Sequence, residues 1–355
     1  MDQWKKMYAE KLTTADEAVK LVKDGDVVEY APYVTAPWDL DRALSKRKGE
    51  LKKVFVKGCT FTYVPEVFKV DPQGETFLLN DSFWSATTRK MKEQGEVYIN
   101  PGLYGETAGV FAHGYLKNDF MYVPVTPMDK NGFFNISVTC SFNTEVLRMR
   151  GGTQKGLKLV VEVNEKLPVV HGDTSLHVSE VDYIVEEENP RPLQAIGKVE
   201  ATEADEKIAK LILGEMVDGV CLQIGIGGMP NLVGKMLVDS DLKDLGCHTE
   251  VFVDAYMDLF NAGKLTNAKK QIDIGKSVFT FTLGSAELYE FMDGNPSLRC
   301  LPVSYTNDPG VIRQNDRLYS ICSCLAVDLF GTVSSESVGY KQISGIGGHP
   351  LVRHL

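Results

Sequence analysis

No stretch of the 355-residue chain approaches the roughly 18 consecutive apolar residues of a membrane span, and Met1-Asp-Gln-Trp-Lys-Lys6 has no apolar signal core. A cytosolic protein with no membrane partner is therefore expected. No long block of Lys or Arg appears and the net charge is −10, which argues against nucleic acid or an anionic membrane surface as a partner. Any anionic ligand must be held by local donors. The seven cysteines (59, 140, 221, 247, 300, 322 and 324) include no C-x-x-C pair. An odd count without a signal peptide reads as free thiols, and no structural metal is expected. Cys322 and Cys324 alternate with Ser323 in an apolar run and read as core thiols. There is no Gly-x-Ser-x-Gly elbow, so a serine hydrolase of that type finds no support.

What is present is ordinary globular composition, 43% hydrophobic and 24% charged, at a length that suggests two domains. Thr14-Ala-Asp-Glu17 has the form of a capping box, in which each side chain satisfies the other end's free backbone N–H, and opens a helix through Ala18, Val19, Leu21 and Val22. A strand over 26–30 follows, then a loop bracketed by Pro32 and Pro37, and a helix over 40–47. Further strands are predicted over 53–56, 97–99, 121–125 and 157–163. Asn131-Gly132 between apolar runs predicts a hairpin. Three acids and two prolines in residues 186–192 form the best linker and place the boundary between domains 1–190 and 191–355.

After the linker the opening grammar recurs. Ala204-Asp-Glu206 echoes Ala15-Asp-Glu17, each begins a helix, and each helix leads to a strand and a loop closed by proline, Pro37 or Pro230. This suggests two similar α/β domains with mainly parallel sheets. Strands over 220–224, 251–253, 278–283 and 318–327 and helices from Pro230 and over 286–292 continue the alternation.

Gly225-Ile-Gly-Gly-Met-Pro230 lies between a strand and a helix, where bare N–H groups and the helix dipole suit a phosphate. A tight turn without a ligand is the competing reading. The dinucleotide fingerprint needs Gly or Ala where Pro230 stands, so a nicotinamide enzyme is disfavoured. Glu250 closes Asp244-Leu-Gly-Cys-His-Thr-Glu250 and opens the apolar run Val251-Phe-Val253. An acid at the mouth of a buried strand near such a loop is a candidate covalent nucleophile, although a solvated cap is the plainer reading. His248 is either a general base or a satisfied structural residue.

In combination the segments are more specific than alone. Residues 225–230 and 245–250, Asp328-Leu-Phe-Gly-Thr-Val-Ser-Ser-Glu-Ser337 and Lys341-Gln-Ile-Ser-Gly-Ile-Gly-Gly348 occur in that order. Together they resemble the acetyl-CoA hydrolase/transferase family, most closely its butyryl-CoA:acetate and 4-hydroxybutyrate CoA-transferases. The likeness runs from Trp4 to Gly348, through Val161-Glu-Val-Asn164 and His177-Val-Ser-Glu180. It implies that Glu250 becomes a glutamyl-CoA thioester, that Gly225, Ile226, Gly227, Gly228 and Met229 contact CoA, and that Leu325 and Gly348 lie at further CoA contacts. It also implies CoA, a short-chain acyl-CoA and a carboxylate as substrates, no permanently bound cofactor, and a homo-oligomer. The segments 33–35 and 104–106 fall where an acyl pocket would be lined, against the plainer reading as connections. At His349-Pro350 the chain departs from the family pattern, so the second domain is expected to be incomplete and the chain less active and less stable than a longer version. Acyl-CoA hydrolysis and an inactive remnant are the alternatives.

Overall fold

The computed structural model describes residues 3–197 and 200–348. Its largest element is an eight-stranded sheet built from β1 (Leu12–Thr13), β2 (Val27–Tyr30), β3 (Val54–Gly58), β4 (Phe77–Asp81), β5 (Val97–Ile99), β6 (Phe120–Val125), β8 (Lys158–Val163) and β10 (Tyr183–Glu186). The two remaining strands of this region, β7 (Phe133–Asn135) and β9 (Ser175–His177), pair with each other outside it. The spatial order is β1-β10-β8-β6-β2-β3-β4-β5, and every neighbouring pair is parallel. From β2 the chain builds outward to β5, then returns to β6 on the other side of β2. That reversal opens a crevice at the carboxyl ends of β2 and β6, the place where open parallel sheets take ligands.

Side-chain alternation assigns each face its own core. Phe120 and Tyr122 join Val28, Tyr30, Val54, Val56, Phe77 and Leu79 in a cluster confined to the first half. Met121, Val123 and Val125 point the other way, into a cluster that continues through Leu222, Ile224, Val251, Phe279 and Phe281. Central strands covered on both faces are apolar throughout, and all six residues of β6 are buried.

In the second half β11 (Cys221–Ile224) lies between β12 (Gly246–Cys247) and β17 (Leu318–Ile321), all parallel. The strands β13 (Val251–Phe252) and β15 (Phe281–Thr282) pair in parallel, as do β14 (Ser277–Phe279) and β16 (Leu298–Cys300). A bridge between His248 and Val278 joins the two groups. The α/β class with parallel sheets is thus seen, and the helix–strand–loop–helix order recurs, through β2 to the helix Trp38–Ser45 and through β11 to the helix Gly228–Asp239.

Several local expectations are corrected. The helix expected from Thr14 through Val22 is only Ala15–Val19, and a helix over Gln3–Lys11 that the sequence did not predict precedes it. Thr14 does cap Glu17 N at 3.2 Å, but the Glu17 carboxylate pairs with Lys20 instead of closing the box. The reciprocal box forms at Thr202 with Asp205. Asn131-Gly132 turns, with Gly132 at φ 87°, yet β7 pairs with β9 and not with β6, because β6 is occupied on both edges by β2 and β8. The strand expected over 318–327 stops at Ile321. The chain then leaves the sheet for an antiparallel hairpin of β18 (Ala326–Val327) and β19 (Val333–Ser334). In consequence Cys324 is exposed and Cys322 half-buried, not core thiols, whereas the other five cysteines are buried. The expected departure at His349-Pro350 lies outside the described residues. Among the described residues, no helix is long and apolar enough to cross a membrane, and no group of three or more His, Cys, Asp or Glu is arranged to hold a metal ion.

Candidate active site at Glu250

Glu250 stands, as expected, at the mouth of the buried strand β13, in the gap between β12 and β13, and the neighbouring segment is interrupted likewise at Thr280 between β14 and β15. Its carbonyl accepts from two successive N–H groups, Thr280 at 3.1 Å and Phe281 at 3.3 Å. Two residues thus oppose one, which is how a bulge re-aims a side chain. Gln223, near the carboxyl end of β11, fixes the bulge by accepting from Glu250 N and Thr249 Oγ1, each at 3.2 Å. Gly225 follows two residues later, so a single side chain links Glu250 to the glycine turn.

The Glu250 carboxylate meets two groups. Asn307 Nδ2 donates to Oε2 at 2.5 Å, from the end of the short helix Val303–Thr306. The backbone of Gly348 presses on the same oxygen: a Cβ there would lie 1.7 Å from Oε2 and 2.2 Å from Asn307 Nδ2. Only glycine fits. Burial pushes the Glu250 carboxyl up to about 7, with the Asn307 hydrogen bond pulling the other way. His248 is buried and donates from Nε2 to the Thr306 carbonyl at 2.9 Å. Burial, helped by the charge of Lys270, pushes it down to about 4. Its Nε2 thus holds the segment that carries Asn307, while its buried Nδ1 has no hydrogen-bond partner, so the reading as a satisfied structural residue holds for one ring nitrogen only.

The crevice of the first half supplies an aromatic wall. Tyr33, in the loop after β2, stacks on Phe281 with ring centroids 3.7 Å apart, and Tyr104 meets both edge-on. Tyr104 Oη donates to Ser141 Oγ at 2.6 Å, and Cys59 Sγ reaches Tyr33 Oη at 3.7 Å. Burial pushes both phenols far above their ordinary range, and the nearby Glu250 charge adds to this. Three non-glycine residues here adopt left-handed backbone, Tyr33 at φ 62°, Thr60 at 65° and Ser141 at 49°. Such conformations persist only where the surroundings impose them, and they cluster at functional sites.

The glycine turn is packed as well as open. Gly227, at φ 127°, caps the helix Gly228–Asp239 with no side-chain hydrogen bond. A Cβ on Gly228 would sit 2.9 Å from the Glu200 carbonyl and one on Gly225 3.2 Å from the Ile321 carbonyl. Met229 is partly buried against the core. Ile226 is 54% exposed and Leu325, in the β18–β19 hairpin, 43%. The structure therefore brings Gly348 against Glu250, ties Glu250 to Gln223 two residues before Gly225, and leaves Ile226 and Leu325 at the surface. Sequence reasoning missed Asn307 and Gln223. Neither carries a local motif, since each acts across a strand or helix boundary tens of residues from Glu250.

Models of the acetyl-CoA hydrolase/transferase N-terminal and C-terminal domains match residues 1–193 and 284–350. The chain belongs to the acetyl-CoA hydrolase/transferase family. It is 42% identical over 347 residues to a butyryl-CoA:acetate CoA-transferase of Anaerostipes caccae, covering 97% of this chain and 76% of that one. It is 34% identical to a 4-hydroxybutyrate coenzyme A transferase of Clostridium kluyveri, covering 98% and 78%. Among solved structures, RipA from Yersinia pestis superposes with a TM-score of 0.84 at 32% identity over 94% of this chain and 78% of that one.

Proposed function

We propose that this member of the family is a CoA-transferase that moves CoA from a short-chain acyl-CoA such as butyryl-CoA to a carboxylate such as acetate. The observation that carries the reading is Glu250: it sits at a bulge beside the glycine turn's strand, Asn307 donates to its carboxylate, and burial raises its basicity. The ionised carboxylate attacks the acyl carbonyl, expelling CoA thiolate and forming a mixed anhydride. The thiolate then attacks the glutamyl carbonyl, releasing the acyl group as its carboxylate and leaving a glutamyl-CoA thioester; the acceptor carboxylate runs the two steps in reverse. No net thioester is lost, so no ATP is required. Asn307 Nδ2 lies where negative charge develops on the glutamyl oxygen. The open N-terminus of the helix Gly228–Asp239 offers backbone donors and a favourable dipole to the phosphates of CoA.

The experiment is exchange of CoA between butyryl-CoA and acetate, followed by the appearance of acetyl-CoA. Parallel double-reciprocal lines support the ping-pong scheme. Free CoA released at a rate indifferent to acetate would instead mark a hydrolase, the activity named for a Neurospora crassa relative at 24% identity. The family likeness also leads us to propose a homo-oligomer, which light scattering tests: a monomer alone would refute it.

A further inference from the structure

Asp81, the last residue of β4, is fully buried and accepts from four donors. These are Thr60 N at 2.7 Å, Phe61 N at 3.3 Å, Phe83 N at 3.4 Å and Thr88 Oγ1 at 2.7 Å. On one side it thereby holds the left-handed turn at Thr60, whose neighbour Cys59 accepts from Tyr33 N at 3.1 Å. On the other side it holds residues 82–83, which form the floor beneath the C-terminal glycine turn. A Cβ on Gly345 would lie 2.4 Å from the Ser82 carbonyl, and one on Gly347 3.1 Å from the Phe83 ring. Tyr104 N secures the Gly347 carbonyl at 3.0 Å, and Arg89 Nη1, one residue past Thr88, secures the Ile343 carbonyl at 2.6 Å. The next residue, Gly348, rests on the Glu250 carboxylate.

We propose that Asp81 is a positioning residue: by tying the Thr60 turn and the Phe83 floor to one buried carboxylate, it seats the glycine turn that encloses Glu250. The inference rests on Glu250 as the reactive group. It differs from a merely stabilising carboxylate, and the fold supplies the comparison. At the opposite end of β4, Asp71 does similar work away from the site, accepting from Glu75 N at 3.2 Å, Thr76 N at 2.7 Å and Phe77 N at 2.9 Å. In Asp81→Asn an amide with one acceptor oxygen faces four donors, so the floor loosens. Water then reaches Glu250, whose carboxyl returns toward its ordinary value.

The test is a carbon-13 NMR titration of the protein labelled at glutamate Cδ, with the Glu250 signal identified by its absence in Glu250→Gln. The midpoint is expected near 7 in the parent and lower by about one pH unit in Asp81→Asn, with the rate of thioester formation from butyryl-CoA down about tenfold. Asp71→Asn should lower the melting temperature comparably and leave the midpoint in place. Should Asp81→Asn fail to fold, Thr88→Val, which removes one of the four donors, is expected to move the midpoint in the same direction by less. A midpoint unmoved in the Asp81 or Thr88 variant, or moved as far in Asp71→Asn, overturns the proposal. Absence of any thioester in the parent overturns the transferase reading instead, while the titration still decides whether Asp81 governs the enclosure of Glu250.

Discussion

The two helix–strand–loop–helix units follow one plan and finish it differently. After β2 the loop is aromatic and buried, and the N-terminus of the helix Trp38–Ser45 is sealed from within: the Glu162 carboxylate accepts from Asp39 N at 3.1 Å and Leu40 N at 2.8 Å. After β11 the loop is glycine, and the helix Gly228–Asp239 begins without any side-chain cap. A helix start carries unpaired N–H groups and partial positive charge. One unit satisfies them with its own carboxylate and becomes a wall; the other leaves them for a ligand's anion. Glu250 lies between the wall and the open turn.

The largest effect that follows is on chemistry. Glu250→Ala should abolish CoA exchange while the protein remains folded, since the side chain is the reacting group and not a support; exchange at the parent rate would remove it from the mechanism. Next, Glu162→Ala strips the sealed unit of its internal cap. Burial holds this carboxyl well above the usual range despite the two N–H donors, so part of the benefit is already offset, and a loss of about 2 kcal/mol is expected on chemical denaturation. A melt unchanged within error would mean that the cap is idle. Asn307→Ala should slow thioester formation by about 100-fold through the lost donor, and should raise the Glu250 midpoint further, because the Asn307 bond lowers it.

Glu250 also sets a pH dependence. Its folded value, about 7, exceeds its ordinary value of 4.5, so between these the folded state binds more protons than the unfolded one. Stability should therefore fall as pH rises from about 4.5 through 7, while the ionised nucleophile, and with it the exchange rate, increases over the same range. Glu250→Gln should make the stability trend shallower without removing it, because burial also raises Asp41 and Asp81 to about 6 and Glu187 to about 7, and should abolish exchange; a parent rate that falls through pH 7 would contradict the assignment. The smallest effect sharpens the open unit. Because Gly228 packs against the Glu200 carbonyl, a substitution there perturbs fold and ligand together. Exposed Ile226 does not carry that burden. Ile226→Glu should weaken CoA binding about tenfold in calorimetry with an unchanged melt, and Thr62→Glu, in the loop after β3, should leave CoA affinity alone.

The sequence made much of this legible where signals are local. The apolar runs of β6 and β8, the helix that begins at Ala204-Asp-Glu206, the glycine turn and the place of Glu250 before β13 could all be read from adjacent residues. What escaped was set by partners distant in sequence. The break at Glu250 depends on the Thr280 and Phe281 N–H groups, and the donor to its carboxylate comes from Asn307. The strand over 318–327 was overextended because the run through Cys322 and Cys324 has strand-like alternation, whereas the chain turns away after Ile321. Short strands such as β4 and β16, and the helix Asp254–Asn261 just after β13, lay inside stretches whose periodicity was too brief to distinguish from loop.

The most direct measurement is the intact mass of the protein after incubation with butyryl-CoA. A gain equal to CoA less one water, present in the parent, absent from Glu250→Ala and discharged by acetate, is the predicted result. No adduct on the parent, or an adduct that survives in Glu250→Ala, would contradict the assignment of Glu250 as the residue that carries CoA.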